Sequence, residues 1–358
     1  MKIFKTKFKN KKIIVTGHTG FKGSWLSLWL TTIGAKVLGI SKGIPTSPSN
    51  FNIQNLKNKL IHKRIDIRDR KKVEKIFYKF QPDYVFHLAA QSLVKKSYAS
   101  PINTFETNTI GTLNILNSLQ KVNKKCVAIL ITSDKSYKNL ELKRGYKEND
   151  LLGGTDPYSA SKGSAEFIIQ SYFHSYFKYK KNIQIGVARA GNVIGGGDWS
   201  EDRLVVDCIK SWSKNRKAIL RNPYSTRPWQ HVLEAVGGYL LLACKIKENK
   251  KLSGEVFNFG PNTKKNYNVL SLVKTMQKYW RNVNWKINRH SAKAHLESKL
   301  LKLNCNKSKQ ILKWKSLLNF EKTAELTINW YKKFYNNKRE IRKHSINLIK
   351  YYQNLLDT

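Results

Sequence analysis

Two stretches of this chain bring together residue types that could do chemistry in concert. One is Asp156-Pro157-Tyr158-Ser159-Ala160-Ser161-Lys162, with a tyrosine and a lysine four residues apart; the other is Thr132-Ser133-Asp134-Lys135. On a helix, a spacing of four puts both side chains on one face. Pro157 suits the first turn of such a helix, and Asp156 suits the cap before it. An ammonium beside a phenol favours the phenolate. The pair Tyr158 and Lys162 would then be a base for a hydroxyl whose carbon is about to lose hydride. A Tyr-x-x-x-Lys pair is equally the signature of an ordinary amphipathic turn, so the elements around it decide.

Those elements read as a dinucleotide-binding half. Lys12 to Thr16 is a short buried strand, followed by Gly17-His18-Thr19-Gly20-Phe21-Lys22-Gly23 and an apolar helix through Trp25, Leu26 and Leu30. Strand, glycine turn and helix is the context a cofactor fingerprint requires. Glycines let backbone approach a pyrophosphate, and the helix N-terminus favours its charge. Lys36 to Ile40 is a second strand whose tail, Ser41-Lys42-Gly43, lacks the acid that commonly meets the adenosine ribose. Lys42 could face a 2′-phosphate instead, so local chemistry leaves NAD and NADP both open. Asp66 to Asp69 ends a third strand, with Asp66 placed towards the adenine and Asp69 also readable as a helix cap. Asp83 to Leu88 is a fourth strand that delivers Leu88, Ala89 and Ala90, small enough for backbone to lie against a cofactor. Val127 to Thr132 is a fifth, fully apolar strand that puts Ser133, Asp134 and Lys135 at the carboxyl edge, where ligands sit in open α/β sheets. The helix of Tyr158 and Lys162 runs to about Tyr179, and Ile183 to Arg189 is a sixth strand. This alternation predicts an α/β fold with a Rossmann-type doubly wound parallel sheet.

The rhythm breaks after residue 190. Gly191 to Trp199 reads as a flexible, glycine-rich loop. Arg203, Arg221 and Arg227 follow on loops, the last in Arg227-Pro228-Trp229-Gln230-His231. Guanidinium forks match diphosphate oxygens, and tryptophan or histidine planes can stack on a base; each is also what a surface arginine beside a core tryptophan looks like. The division is an NAD-binding domain over 1–190 (core 10–190), a mainly substrate-binding α/β region over 191–335, and a basic, aromatic tail over 336–358 that packs on the body as an amphipathic helix. Residues 1–11 read as a basic lead-in.

Composition sets the outer bounds. The 358 residues are 41% hydrophobic and 11% aromatic, enough to bury a sizeable core. The net charge of +44 invites a nucleic-acid reading, but the basic residues are spread along the chain rather than gathered in one arm. Cys126, Cys208, Cys244 and Cys305 contain no CxxC pair, which leaves zinc and disulfide frameworks unsupported and suits a reducing compartment. No apolar run approaches a signal peptide or a membrane span, so the expected place is the cytoplasm, without a membrane partner.

The glycine turn, Tyr158/Lys162 and the sixth strand make the chain resemble the extended short-chain dehydrogenase/reductases that act on nucleotide sugars (the NAD-dependent epimerases and dehydratases). Thr16 to Leu26, Thr132 to Lys135, Ala190 to Trp199 and Arg227 to Glu234 narrow the resemblance to the CDP-glucose 4,6-dehydratases, over roughly residues 10–335. That resemblance implies CDP-glucose as substrate, NAD as cofactor, no metal, and a product with a 4-ketone and a 6-deoxy carbon. It implies that Tyr158 with Lys162 takes the O4 proton, that Ser133 holds the sugar hydroxyl, that Asp134 protonates the departing C6 hydroxyl, and that Lys135 takes the C5 proton. A lysine can do so only when neutral. It further implies cofactor contacts from Gly17, Thr19, Gly20, Phe21, Lys22, Gly23, Asp66, Ile67, Leu88, Ala89, Ala90, Asn108 and Thr132, besides Tyr158 and Lys162. Substrate contacts would come from Gln91, Ser133, Asn192, Arg203, Arg221, Arg227 and His231. A homodimer or dimer of dimers would form through helices near 104–121 and 158–179. Two other enzyme readings are a nucleotide-sugar 4-epimerase, which needs no acid/base pair for elimination, and a dehydratase for another nucleotide-glucose. A nucleic-acid-binding Rossmann protein is the reading from a different class.

Overall fold

Seven parallel strands make one sheet in the computed structural model, which describes residues 2–261, 265–287 and 300–357. The first six are β1 (Lys12–Thr16), β2 (Lys36–Ser41), β3 (Ile61–Arg64), β4 (Tyr84–His87), β5 (Cys126–Ile131) and β6 (Ile183–Ala190). Their order across the sheet is β3-β2-β1-β4-β5-β6, closed at the far edge by Val256–Phe259. Successive side chains point to opposite faces of a strand. Ile13 and Val15 of β1 accordingly enter one apolar cluster and Ile14 the other, while β5 splits into Val127, Ile129 and Ile131 against Ala128 and Leu130. Both faces are covered, as a parallel sheet requires. The chain runs outward from β1 to β3 and then crosses back to β4, so the β1–β4 boundary is the switch point where such sheets bind ligands.

The expected doubly wound sheet is therefore present, with one addition. Its seventh strand comes from beyond residue 190, where Val256 to Phe259 pair with Val187 to Ala190. The helix Val232–Glu248, buried on nearly every side, packs against β5 and β6 and leads to that strand. The remaining elements of this part include a small parallel pair, Ala218–Leu220 with Trp285–Ile287, and the helices Leu204–Trp212, Val269–Tyr279 and Phe320–Asn336.

Three segments differ from a reading by composition or extend it. The basic lead-in holds a helix, Lys2–Phe8, because Phe4 and Phe8 share one face and bury against the body, with the Phe8 ring 4.8 Å from Tyr84. The glycine-rich run after β6 is not flexible: residues 194–199 are buried, and Val193–Ile194 pairs with Gln230–His231. Its glycines serve close packing. A Cβ on Gly196 would lie 2.0 Å from the Trp330 ring, and the Gly196 carbonyl accepts a hydrogen bond from the Trp25 indole at 2.8 Å. The tail does pack as an amphipathic helix, Ile341–Asp357, burying Ile341, Leu348, Ile349 and Tyr352. The Tyr352 hydroxyl donates to the buried Glu234 carboxylate at 2.7 Å.

Candidate active site at the carboxyl edge of the sheet

The chemistry-bearing residues leave the ends of β1, β4, β5 and β6 together. After β1 the chain turns at Gly17, which has φ +72°, and where a Cβ would lie 2.7 Å from the Ala89 nitrogen. A Cβ on Gly23 would lie 2.1 Å from the Gly17 carbonyl. The helix Phe21–Thr32 starts at Gly20 with no side-chain cap, so its first N–H groups remain available to an anion. Beside this turn, the Thr19 hydroxyl pairs with Ser41 at 2.6 Å and with the Gly43 carbonyl at 2.7 Å, bracing the end of β2. Leu88 and Ala89 are held by their N–H groups to Thr16, the first through its carbonyl and the second through its hydroxyl, and Ala90 follows half-buried. An uncapped helix start, glycines in van der Waals contact with backbone and an apolar shelf after β4 fit a dinucleotide.

Asn108 lies in a π-helical turn, Glu106–Ile110, a distortion frequent at functional sites. Its amide donates to Ser161 at 2.9 Å and to the Gln91 carbonyl at 3.0 Å, tying the β4 loop to the helix of Tyr158. That helix spans Pro157–Tyr172; Asp156 caps it by accepting from the Ser159 N–H at 2.9 Å, as the spacing predicts.

Tyr158 and Lys162 are both buried. Burial pushes the Lys162 ammonium down to about 8, with the Glu166 carboxylate opposing. Burial also raises the Tyr158 phenol, opposed by a hydrogen bond with the Ser133 side chain. The direction expected from a neighbouring ammonium is thus reversed: loss of hydration acts most strongly on Tyr158, the Asp134 and Asp156 carboxylates push the same way, and the opposing cation is Arg203. Asp134 is buried, accepts from Ser133 Oγ at 2.9 Å, and lies 3.4 Å from the Asn192 amide. The Lys135 N–H donates to Ser133 Oγ at 3.2 Å, and Lys135 itself is half-buried. Arg203 is the charge that opposes the rise of the Tyr158 phenol. Its guanidinium also reaches the Ser92 carbonyl at 3.5 Å.

Other expected site residues stand elsewhere or are occupied. The Gln91 side chain closes its own loop, accepting from the Leu93 N–H at 2.7 Å and donating to Thr104 at 3.0 Å. The Thr132 hydroxyl goes to Glu166 at 2.6 Å. Asp66 holds Arg68 through both oxygens, and Ile67 packs beneath Gly111. Arg221 is exposed and pairs with Asp202 at 3.2 Å. His231 is buried; its Nδ1 accepts from the Leu233 N–H at 3.3 Å, capping the next helix, and burial lowers it to about 3. The imidazole is therefore neutral with its proton on Nε2, which has no hydrogen-bond partner among the described residues. Arg227 lines a separate cavity of about 110 Å³ with Trp229, Lys265, Tyr267, Lys302 and Phe320. Gln230 links that wall to the site, donating to the Gly191 carbonyl at 3.1 Å.

Two contributors escape a reading by motif. Glu166 is the third member of the series Tyr158, Lys162, Glu166 at steps of four, a signal the sequence did carry. It binds the fully buried Arg189 through Nε at 2.8 and 3.0 Å. Gly191 is the other: a Cβ there would sit 1.7 Å from the Asp134 carboxylate, and no local pattern announces that contact.

A family model described as GDP-mannose 4,6 dehydratase matches residues 14–327. The chain is 43% identical over 338 residues to the CDP-glucose 4,6-dehydratase of Salmonella typhimurium, covering 92% of this chain and 93% of that one. Among solved structures, the UDP-glucose 4-epimerase of Thermotoga maritima with UDP-glucose is 25% identical at a TM-score of 0.76, covering 90% of this chain and 99% of that one. The dTDP-glucose 4,6-dehydratase of Bacillus anthracis in complex with NAD shares the fold at a TM-score of 0.74 and 20% identity, over 92% and 99% of the two chains. With its glycine turn, its Tyr158/Lys162 pair and its Ser133-Asp134-Lys135 run converging on one sheet edge, the chain belongs to the GDP-mannose 4,6 dehydratase family.

Proposed function

We propose that this chain converts CDP-glucose to CDP-4-keto-6-deoxyglucose by oxidation at C4, loss of water across C5 and C6, and hydride return to C6. NAD, when bound, supplies the hydride acceptor and then the donor. The observation that carries the reading is Asp134, buried between Ser133 and Asn192 in the same site as Tyr158. An epimerisation needs a base for O4 but no acid for a departing hydroxyl. Here Tyr158 takes the O4 proton, aided by Ser133 and opposed by its own burial. The 4-ketone acidifies the C5 hydrogen, whose proton goes to Lys135. Asp134 delivers a proton to the C6 hydroxyl, which leaves as water. Asn192 and Arg203 border the sugar and diphosphate, and the Arg227 cavity extends the substrate side of the 191–335 region. The cytidine base is supported by the Salmonella relative, with which the chain shares 43% identity.

A second copy of the chain suits the helices at 101–119 and 157–177. They expose Ile102, Phe105, Ile110, Phe167 and Tyr176, large apolar side chains that a monomer rarely gathers. The four cysteines are unpaired, in keeping with the reducing cytoplasm. Among the described residues no helix is long and apolar enough to cross a membrane.

The test is product analysis by mass spectrometry and NMR, offering CDP-, dTDP-, UDP- and GDP-glucose in turn with NAD. A 4-keto-6-deoxy product from CDP-glucose supports reaction and base together. Turnover of another nucleotide sugar keeps the chemistry and discards the base, and a C4-epimerised product with its C6 hydroxyl intact discards the dehydration.

A further inference from the structure

Buried side chains on either side of the Ser133-Asp134-Lys135 run meet beneath it and close a circuit. The Thr132 hydroxyl, just before the run, donates to Glu166 Oε1 at 2.6 Å. Glu166 accepts from Arg189 Nε at 2.8 and 3.0 Å, and again from Arg189 Nη2. The Arg189 guanidinium lies over the Tyr137 ring, 4.4 Å from its centre. Tyr137 is the second residue after Lys135, so the backbone from Thr132 to Tyr137 completes the circuit. Its links come from separate elements: Thr132 follows β5, Glu166 lies on the helix Pro157–Tyr172 one turn beyond Lys162, and Arg189 is in β6.

Tyr137 is fixed by further contacts. Its hydroxyl donates to Asn258 Oδ1 at 2.8 Å, and its ring stacks on Tyr146 with centres 4.9 Å apart. The Ser136 carbonyl before it accepts from the Gly153 N–H at 2.9 Å, and the Lys138 N–H after it donates to the Leu151 carbonyl at 2.9 Å. At the other end, the Thr132 N–H donates to the Ala188 carbonyl at 3.0 Å. Between these anchors the run is a single short turn, Asp134–Ser136, capped by the Ser133 hydroxyl. One 3₁₀ turn has poor hydrogen-bond geometry of its own, so its ends decide where Asp134 and Lys135 stand. Replacing a buried ion pair with packed apolar side chains is often neutral or stabilising, so stability alone does not call for Glu166 and Arg189. What the pair supplies is direction, because a guanidinium fork sets the planes of the carboxylate and the ring it meets.

We propose that Tyr137 and Arg189 are positioning residues for the elimination step: the guanidinium, oriented by Glu166 and seated on the Tyr137 ring, closes the circuit that holds Asp134 and Lys135 in place. The inference rests on the dehydration reading above. Neither residue exchanges an atom with substrate or cofactor. Tyr158 stands on its own helix, outside the circuit, and Thr132 keeps its ties to Glu166 and β6. Loss of the Tyr137 ring therefore frees the Lys135 end of the run while C4 oxidation continues.

The experiment compares wild type, Tyr137→Leu, Tyr137→Phe and Thr132→Val on CDP-glucose with NAD. It follows reduced nicotinamide by absorbance, product by mass spectrometry, NAD affinity by calorimetry and folding by thermal melting. These variants take the outer links, because breaking the buried pair itself strands a charge. Per folded molecule, Tyr137→Leu should oxidise C4 within about threefold of wild type. It should form product about 10²-fold more slowly, so that reduced cofactor accumulates. Tyr137→Phe keeps the ring and should recover most of that loss. Thr132→Val should hold NAD within about threefold and form product about tenfold more slowly. Product formation by folded Tyr137→Leu within about threefold of wild type overturns the proposal, as does C4 oxidation slowed as much as product formation. Tyr137→Phe as slow as Tyr137→Leu also overturns it, since the hydroxyl and Asn258 would then matter and the ring under Arg189 would not. Should Tyr137→Leu not fold, Thr132→Val decides: product formation within about threefold of wild type, or a loss traced to weaker NAD binding, overturns the circuit. The wild-type arm reports on the reaction alone. Absence of a 4-keto-6-deoxy product there overturns the dehydration reading and this proposal with it, whereas wild-type product beside unslowed variants overturns this proposal only.

Discussion

Gly191→Ala tests the site at its tightest contact. The new Cβ would lie 1.7 Å from Asp134 Oδ2 and 2.1 Å from its carboxyl carbon, whereas ordinary contact begins at 3.4 Å. One of the two groups must retreat by about 1.7 Å, and displacements near 1 Å at reacting groups cost on the order of 10²-fold in rate. The φ of Gly191 lies outside the left-handed region, so the alanine meets no backbone strain and the effect is the contact alone. If the carboxylate swings away, it leaves Ser133 and the Asn192 amide; if the backbone yields, the neighbouring Asn192–Gln230 link shifts with it. Overpacking of this size costs about 1–3 kcal/mol of stability, which a large domain survives. The assay is product formation from CDP-glucose, with reduced nicotinamide absorbance and thermal melting in parallel. The variant should fold, still oxidise C4 through Tyr158, and form product at least about 10²-fold more slowly. A folded variant within about threefold of wild-type turnover would show that the position of Asp134 does not govern elimination.

Glu166→Gln strands the buried Arg189 guanidinium, and breaking a buried pair costs about 3–5 kcal/mol, read as a lower denaturation midpoint. Burial holds the Lys162 pKa near 8, below its ordinary 10.5. Between those values the unfolded chain binds more protons, so this group makes stability rise with pH; melting curves of Lys162→Met should lack that share of the slope, and an identical slope would refute it. Phe167→Glu places a charge in the exposed apolar helix face and should shift a dimer towards the 41.5 kDa monomer in light scattering, whereas a wild-type chain already monomeric would remove the dimer.

What the sequence disclosed follows from what its signals encode. Strand after strand was legible because a parallel sheet buried on both faces demands unbroken apolar runs, such as Val127 to Ile131, and because glycine turns punctuate them. The helix of Tyr158 and Lys162 was legible down to its Asp156 cap, since capping is a local event. The same locality explains the failures. Gly191 to Trp199 looks loose because glycine is permissive, yet these glycines exist to admit Asp134, Val232 and Trp330, partners brought from distant parts of the chain. The raised Tyr158 phenol escaped a spacing rule, because spacing reports which neighbours a group has and not how much water it has lost. Gln91 and Arg221 carry suitable chemistry, but the fold gives their polar atoms to the chain itself.

Family likeness and physical reading also part at Lys22. A motif assigns it to the cofactor turn because it sits between Gly20 and Gly23. A lysine side chain, however, can act well away from its own Cα. At a helix start the backbone N–H groups serve an anion while the side chain is free to answer another element. Here that element is the helix bearing Tyr239, whose hydroxyl accepts from Lys22 Nζ at 3.3 Å. One short turn can thus serve two purposes, its backbone N–H groups open to an anion and its side chain bound to a distant helix. The residues that set this apart from a plain cofactor fingerprint are Lys22 and Tyr239 taken together, 217 positions apart in sequence.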